Sequence, residues 1–518
     1  MSAGPTTETQ RATAWWRGFE ATCLAILAAA LVASAAGGIL PDRLQGIGQP
    51  ALVAAVLVAG FVWRPLPGLL AFGLYVLFYD TTAWFLGGSL RRADEMAVPA
   101  IALVALVRQR PWRYVRIDPI RDGAVAVVVL AGIASSLLNE VPLMVWFPAL
   151  ALLWKTVAIF YVASWLPIDR RAIVGAARVV LSIGFVVLAL AFIESFNPAG
   201  FQSTLGLPIW YRPRGELPSV KSVFLHPAIF ASFGSLVTLY AFAGYAEYRK
   251  VWMLVLGTFG AMTVFMAARR RAIAAAVIGL LAAFAWCARR IGMKVELARS
   301  WVPITISGIV LVVIFTPGML GLVGRTGSYL GGIEQPTPPP GIVEPPDGEG
   351  PVPTRARSAL YGASFEIARD NFPLGAGLGR FASHMSRVEY SPVYVEYGLD
   401  HIRGLQEDNA DYITDTFWPM MLGESGVVGA VGYAVFLGAL LFAVWRAIGR
   451  QTDRFLRVFC LGTLAVLVAA SVESLATPMF VAPPRAYLVF AAIGAVVAIA
   501  SRPPADAEAS EDETAPER

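Results

Sequence analysis

From Glu20 to Ser501 the chain is a succession of apolar runs joined by short polar segments. About twenty consecutive apolar residues cross a bilayer core as a helix, and in lipid only helices and closed barrels satisfy their own backbone. Read by that rule, the pattern predicts helices over 20–40, 48–63, 66–86, 94–108, 122–138, 143–166, 172–196, 227–245, 251–268, 271–288, 301–323, 417–445, 455–475 and 484–501. The windows at 48–63 and 94–108 are short, so the expected number of spans is twelve to fourteen. The fold class expected is an all-α polytopic membrane protein.

Two connections break the rhythm. One covers roughly 197–226 and the other roughly 324–416. The second opens with Gln335 to Pro353, in which eight of nineteen residues are proline, the composition of an extended solvated spacer. Behind it, Arg355 to Asp370 predicts an amphipathic helix, and Asp408 to Thr416 a second. The expected organisation is an N-terminal bundle (1–196), an outer loop with further spans (197–323), a large extracytoplasmic loop (324–416), C-terminal spans (417–501) and a disordered acidic tail (502–518). No internal repeat is evident.

Composition supports the pattern. Of 518 residues 57% are hydrophobic and 15% charged, against about a quarter charged in soluble proteins, so a soluble enzyme, a nucleic-acid binder and a collagen-like chain are excluded as the main body. The polar stretch before Glu20 predicts no cleavable signal. Lys and Arg in short loops stay cytoplasmic. Placing the N-terminus inside puts Arg108 to Arg121, Arg170 and Arg171, Arg249 and Lys250, Arg289 to Arg299, and Arg446 to Arg457 on that side. The expected topology is therefore N-in and C-in. Most of the +5 net charge is spent on orientation.

A minority of cations falls on the other face: Arg91 and Arg92; Arg212, Arg214 and Lys221; Arg269 to Arg271; Arg355 and Arg357. Guanidinium binds phosphate bidentately and stays charged at any pH, so arginines converging from several loops form a diphosphate clamp. Contact with lipid headgroups is the plainer explanation for any one of them. The three histidines, His226, His384 and His401, lie in or beside the same loops. None has metal-ligand spacing with another, and Cys23, Cys287 and Cys460 sit in apolar runs as small core residues, so no metal or other cofactor is expected. The carboxylates Glu407, Asp408, Asp411, Asp415 and Glu424 cluster just beyond. On a helix, Asp408, Asp411 and Asp415 would share one face, a solvated surface or the place of a general base. Pro373-Leu-Gly-Ala-Gly-Leu-Gly379 lacks the Lys-Ser/Thr ending of a nucleotide loop and reads as a tight turn. Within the spans the charges are Asp80, Lys155, Arg178, Glu194 and Glu473, with Asp80, Glu194 and Glu473 toward the outer helix ends.

Four segments together resemble the O-antigen ligase/O-antigen polymerase superfamily of bacterial membrane glycosyltransferases. Arg212-Pro-Arg214-Gly215 with Phe224-Leu-His226-Pro227 is similar to its Arg-rich loop entering a helix. Ala268-Arg-Arg-Arg-Ala272 is similar to its Ser-Arg-x-Ala helix start, with Arg270 as the match. Arg357-Ser-Ala-Leu-Tyr361 leading to Asn371-Phe-Pro-Leu-Gly-Ala-Gly-Leu-Gly379 resembles its Arg…Pro-x-x-Gly-x-Gly-x-Gly stretch. Asp415-Thr-Phe-Trp-Pro-Met-Met-Leu-Gly-Glu424-Ser-Gly-Val-Val-Gly429 resembles its His-Asn…Glu-x-Gly-x-x-Gly element. The resemblance covers roughly 200–430. It implies metal-independent, inverting transfer of a glycan from undecaprenyl diphosphate at the outer face of the inner membrane, beside a flippase and a chain-length regulator.

Carried over, Arg214 and Arg357 would hold the diphosphate, with Arg212 and Arg270 in support. The family's histidine position holds Asp415, so either Asp415 is the base or His401 folds into place. That departure favours polymerisation of an exopolysaccharide, capsule or O-antigen over ligation to a lipid A core. A glycan transporter is the alternative of another class; it predicts internal repeats and midplane ligands. A peptidoglycan polymerase shares the donor, but its motif spacings differ.

Overall fold

In the computed structural model the described residues are 19–29, 31–32, 42–111, 117–208, 220–267, 269–291, 299, 301–314 and 352–501. Every regular element among them is a helix. They run α1 (Phe19–Ala29), α2 (Asp42–Trp63), α3 (Pro65–Leu86), α4 (Ala93–Gln109), α5 (Pro119–Leu138), α6 (Leu143–Trp165), α7 (Arg170–Phe196), α8 (Pro198–Thr204), α9 (Pro227–Tyr248), α10 (Val251–Met266) and α11 (Arg270–Ile291). Beyond these come α12 (Trp301–Ile314), α13 (Val352–Asp370), α14 (His384–Val388), α15 (Val393–Glu396), α16 (Trp418–Arg450), α17 (Arg454–Glu473) and α18 (Arg485–Ala500). Each of the fourteen predicted windows contains a helix. Eight of the helices among the described residues are long and apolar enough to cross a membrane, and five shorter ones are also apolar. The chain is a polytopic all-α membrane protein.

Local chemistry sets many of the boundaries. Asp118, Asp169 and Asp453 cap α5, α7 and α17 by accepting from their first-turn amides, and Pro starts α3, α5 and α9, where no amide partner is needed. The closest helix pairs are α5 on α16, α9 on α10, α6 on α18, α11 on α17 and α9 on α17. Glycines permit some of these approaches: a Cβ on Gly279 would lie 2.5 Å from the Ala465 carbonyl, and one on Gly494 2.4 Å from that of Phe160. One apolar core joins α5, α6, α9, α11 and α13 to α16–α18. A second holds α1–α4 with parts of α6 and α7, and a third lies where α7 meets α9.

Most charges inside the spans have polar partners. Arg91 Nε meets Asp80 at 2.7 Å. Lys155 Nζ meets Asp94 at 2.9 Å and Glu95 at 3.5 Å, and Tyr487 donates to the same Asp94 oxygen at 2.8 Å. Glu194 is wholly buried: its two oxygens accept from Gln202 Nε2 (2.7 Å) and from the amides of Lys221 (3.1 Å) and Ser222 (2.5 Å). Lys221, grouped by sequence with the outer arginines, is therefore interior. Its ammonium donates to the Pro208 carbonyl at 2.6 Å, and burial pushes its pKa down.

Two expectations about the second long connection divide. The helix over Arg355 to Asp370 is present as α13, packed on α16. The helix over Asp408 to Thr416 is not: these residues form turns and bends. Gly404, at φ +88°, lies under the ring of Tyr412, whose amide donates to the Gly404 carbonyl at 2.9 Å. Asp408 and Asn409 are turn formers that compete with a helical backbone. The three aspartates accordingly share no face. The proline-rich linker before Val352 and the acidic tail from Arg502 lie outside the described residues.

Candidate active site

The glycine-rich stretch is spliced into α16. Helix α16 breaks at Gly426 (φ +66°), where a Cβ would meet the backbone of Pro373 and Leu374 at 2.4–2.6 Å. Into that break the 373–379 strip lays its own backbone. The amides of Ala376 and Gly377 donate to the carbonyls of Gly423 (2.8 Å) and Glu424 (3.1 Å). Gly375 sits so close that a Cβ would lie 2.3 Å from the Gly423 carbonyl oxygen. From α5, Ser135 Oγ donates to the carbonyls of Gly375 (2.6 Å) and Glu424 (2.9 Å), Asn139 donates to Gly375 (2.9 Å), and Ser136 Oγ accepts from the Leu378 amide (3.0 Å). The expected tight turn is thus a three-way splice of the loop, α5 and α16.

Glu424 is the acceptor at the centre of this splice. Its buried carboxylate accepts from the Phe381 amide at 3.0 Å and also engages the backbones of Gly379 and Arg380 and the Ser383 side chain. It orients the loop and is turned away from solvent. Tyr394 locks the next turn, its hydroxyl accepting from the Ala382 amide (2.8 Å) and bonding Ser386 (2.9 Å), while burial lifts its pKa above the usual phenol range.

A separate cluster collects charge from α11, α13, α17 and α18 and from Asp415 just before α16. Arg357, on α13, pairs with Asp415, just before α16; their side chains are 27% and 30% exposed. Arg485 starts α18 and meets Glu473, the last residue of α17, at 3.0 Å. Arg271, in the first turn of α11, donates to the Ala476 carbonyl at 3.0 Å and lies within electrostatic reach of Arg357, Arg485, Asp415 and Glu473. Three guanidinium groups thus face two carboxylates. The Nε atoms of Arg357 and Arg485 are buried and find no acceptor among the described residues. A buried donor without a partner costs about 1–3 kcal/mol, and three neighbouring cations repel one another. An oxyanion relieves both strains. No group of His, Cys, Asp and Glu among the described residues has the geometry of a metal site.

The residues expected at the site fall out differently. Arg357 and Asp415 are brought together. His401 stands apart, its side chain 71% exposed and its Nδ1 3.9 Å from the neighbouring Asp400. Arg270 opens α11, but its side chain lies outside the described residues, as do Arg212 and Arg214. Of the other histidines, His226 caps α9 by accepting from the Ala228 amide at 3.1 Å. His384 starts α14 and faces Glu95, Lys155, Arg92 and Arg387. Sequence reasoning passed over Arg485 entirely and preferred Arg270 to Arg271. The signal for Arg485 was there: a cation directly after Pro483-Pro484, opening the apolar run that follows the one closed by Glu473.

The Glu473–Arg485 pair borders a small pocket of about 40 Å³ lined by α3, α9, α17 and α18, including Leu77, Ser232, Ser235 and Val466. The chain matches no family model and no curated sequence.

Proposed function

We propose that the protein is a membrane glycosyltransferase that polymerises glycan repeat units carried on undecaprenyl diphosphate, at the extracytoplasmic face of the bacterial inner membrane. The observation carrying this reading is the gathering of Arg271, Arg357 and Arg485 around Asp415 at one end of an apolar helix bundle. Fixed guanidiniums suit a diphosphate whose charge grows as it departs, because they are already oriented before the reaction. In the reaction the acceptor hydroxyl oxygen attacks the anomeric carbon as the bond from that carbon to the diphosphate oxygen breaks. The diphosphate leaves with the bonding electrons toward the arginines, and the hydroxyl proton passes to the Asp415 carboxylate. Arg357 plays two parts: it holds Asp415 in place, and it turns to the diphosphate when the donor arrives. His401, exposed and distant in contacts, is left out of the step.

Replacing Arg357 or Arg485 by Ala, or Asp415 by Asn, in the source strain is expected to abolish long surface polysaccharide while single repeats persist. The Arg357–Asp415 pair is part-exposed, so its loss should change stability by less than about 1 kcal/mol, and the folded Arg357 and Asp415 variants should remain at the parental level. Lipid-linked polymer accumulating instead would make the enzyme a ligase acting on an acceptor such as lipid A core. Unaltered polysaccharide in all three variants would refute the site.

A further inference from the structure

A cleft with room for about 330 Å³ lies among α3, α6, α7, α9, α10, α17 and α18, and its lining reaches Tyr248, Trp252 and Phe455 at the helix ends remote from Glu473 and Arg485. Ligand pockets occupy about 300–1,000 Å³. Along α9 the lining runs from Tyr248, the last residue of that helix, back to Leu236. At about 1.5 Å per residue that is a depth of about 18 Å, close to one leaflet, half of a hydrocarbon core about 30 Å thick. The walls are hydrocarbon, with Ala172, Ala176 and Leu181 from α7 and Leu488, Ala492 and Ala495 from α18. Tyr240 also lines the cleft, but its hydroxyl is already bonded to Thr463 at 2.8 Å. Water finds no polar network in such a space, and walls facing a void forgo their contacts. A hydrocarbon chain supplies them.

The mouth has another chemistry. Arg170, the first residue of α7, stands over the Phe455 ring at 5.8 Å and pairs with Asp453 at 3.0 Å. Tyr248 is within electrostatic reach of both Arg170 and Arg454. Arg171, Arg249 and Lys250, all exposed, stand within two residues of the lining in the chain. The carboxylates nearby are Asp169, which caps α7, Asp453, and Glu247, which pairs with Arg457. Cations outnumber carboxylates at this rim, on the side where the Lys/Arg pattern predicts the cytoplasm.

We propose that this cleft binds an anionic phospholipid of that leaflet, with an acyl chain laid along α9 and its phosphate at Arg170 and Arg454. Three observations point to this occupant. An apolar space one leaflet deep fits a chain anchored at its own membrane surface. Tyr248 and Trp252 at the mouth are the amphipathic rings that sit at headgroup level. The excess of cations selects an anionic headgroup over a zwitterionic one, each basic residue near the surface strengthening such binding about fivefold. The site is distinct from the arginine cluster at the other helix ends, and it stands whichever donor that cluster takes.

The test uses purified, delipidated full-length protein and native mass spectrometry, with dioleoyl phosphatidylglycerol and dioleoyl phosphatidylcholine as probes that differ only in the headgroup. One phosphatidylglycerol is expected to bind about fivefold or more tighter than phosphatidylcholine. The double variant Arg170→Gln with Arg454→Gln should bind the two lipids alike; it leaves the helix caps Asp169 and Asp453 in place. Filling the wall with Ala176→Trp or Ala492→Trp should release the retained lipid, with an unchanged thermal midpoint reporting that the variant folds. Glycerophosphoglycerol, the same headgroup without chains, should not displace it. A fifth measurement needs no variant: phosphatidylglycerol with a diazirine at its chain end should label 172–181 and 488–495 of the parent. Equal retention of the two lipids, a preference that survives the double variant or a folded filled variant, or displacement by the bare headgroup would each overturn the proposal. So would labelling confined to the exposed residues of α7, such as Phe185 and Ile193.

Discussion

Two glutamates and a lysine show how a single charge is tolerated away from water. Glu424 has no cationic partner among the described residues; it is held by backbone and hydroxyl groups of the 379–383 turn. Such a carboxylate is worth what its donors would lose without it. Glu424→Leu orphans several buried amides at once and is expected to cost on the order of 3 kcal/mol or more, read as a lower thermal midpoint in detergent. Glu424→Gln keeps one acceptor oxygen and should fall between the two. Equal midpoints for Leu and parent would show that the loop does not depend on this residue. Glu194 does the same for the Lys221–Ser222 turn, where Ser222 is held at φ +55°. From sequence alone Lys221 resembles Arg212 and Arg214, since all three are cations in one outer loop. Only a long-range packing fact, the bonding of its own turn to Glu194 at the end of α7, marks Lys221 as interior.

At the scale of elements, spans were legible because each carries its whole signal locally: a helix in lipid needs length and apolarity and little else. The 408–416 segment shows the limit of that logic. Its i, i+3, i+7 aspartates imitate a helical face, yet the backbone is held by Gly404 and Tyr412. In the folded chain Asp411 lies 3.7 Å from Arg387 while Asp415 pairs with Arg357. Helix α14 illustrates coupling between elements. It rests on α6 and carries His384, whose pKa is lowered from its ordinary 6.5 chiefly by partial desolvation, with Arg387, Lys155 and Arg92 adding to it and Glu95 opposing. The docked helix thus prefers neutral imidazole. Docking is at full strength above pH 6.5 and weakens as pH falls through that value, because the undocked form takes up the proton first. Amide exchange over 383–388, corrected for intrinsic rates, should quicken between pH 7.5 and 5.5, and His384→Gln should remove that quickening. A pH response that persists in the variant would dissociate it from this histidine.

Across the whole molecule, the N-terminal helices join the C-terminal ones through buried polar contacts. Lys155 of α6 reaches Asp94 of α4, and Tyr487 of α18 completes the contact; Asp94 is 1% exposed. Removing one partner of a buried pair leaves an uncompensated charge and costs about 3–5 kcal/mol. Lys155→Met should lower the yield of folded protein sharply, and adding Asp94→Asn should restore much of it; failure of the second change to help would mean that Lys155 matters for another reason. The overall class was readable from the scarcity of charge, because few architectures accept 15% charged residues. The site was only half readable. Arg357 and Asp415 stand close to recognisable glycine motifs, whereas Arg271, Glu473 and Arg485 become neighbours only when α11, α17 and α18 pack.

The splice at Gly426 also imposes an order on biosynthesis. Ser135 of α5 and its partner carbonyl at Glu424 are 289 residues apart in the chain. At roughly 5–20 residues per second of synthesis, α5 waits on the order of tens of seconds before the ribosome delivers the backbone that its serines and Asn139 engage. Until then those polar groups must be sheltered by water at the bilayer rim, by lipid headgroups or by an insertion factor. The candidate site is thus among the last parts of the protein to exist, and a nascent chain halted before α16 holds most of its spans but no assembled site.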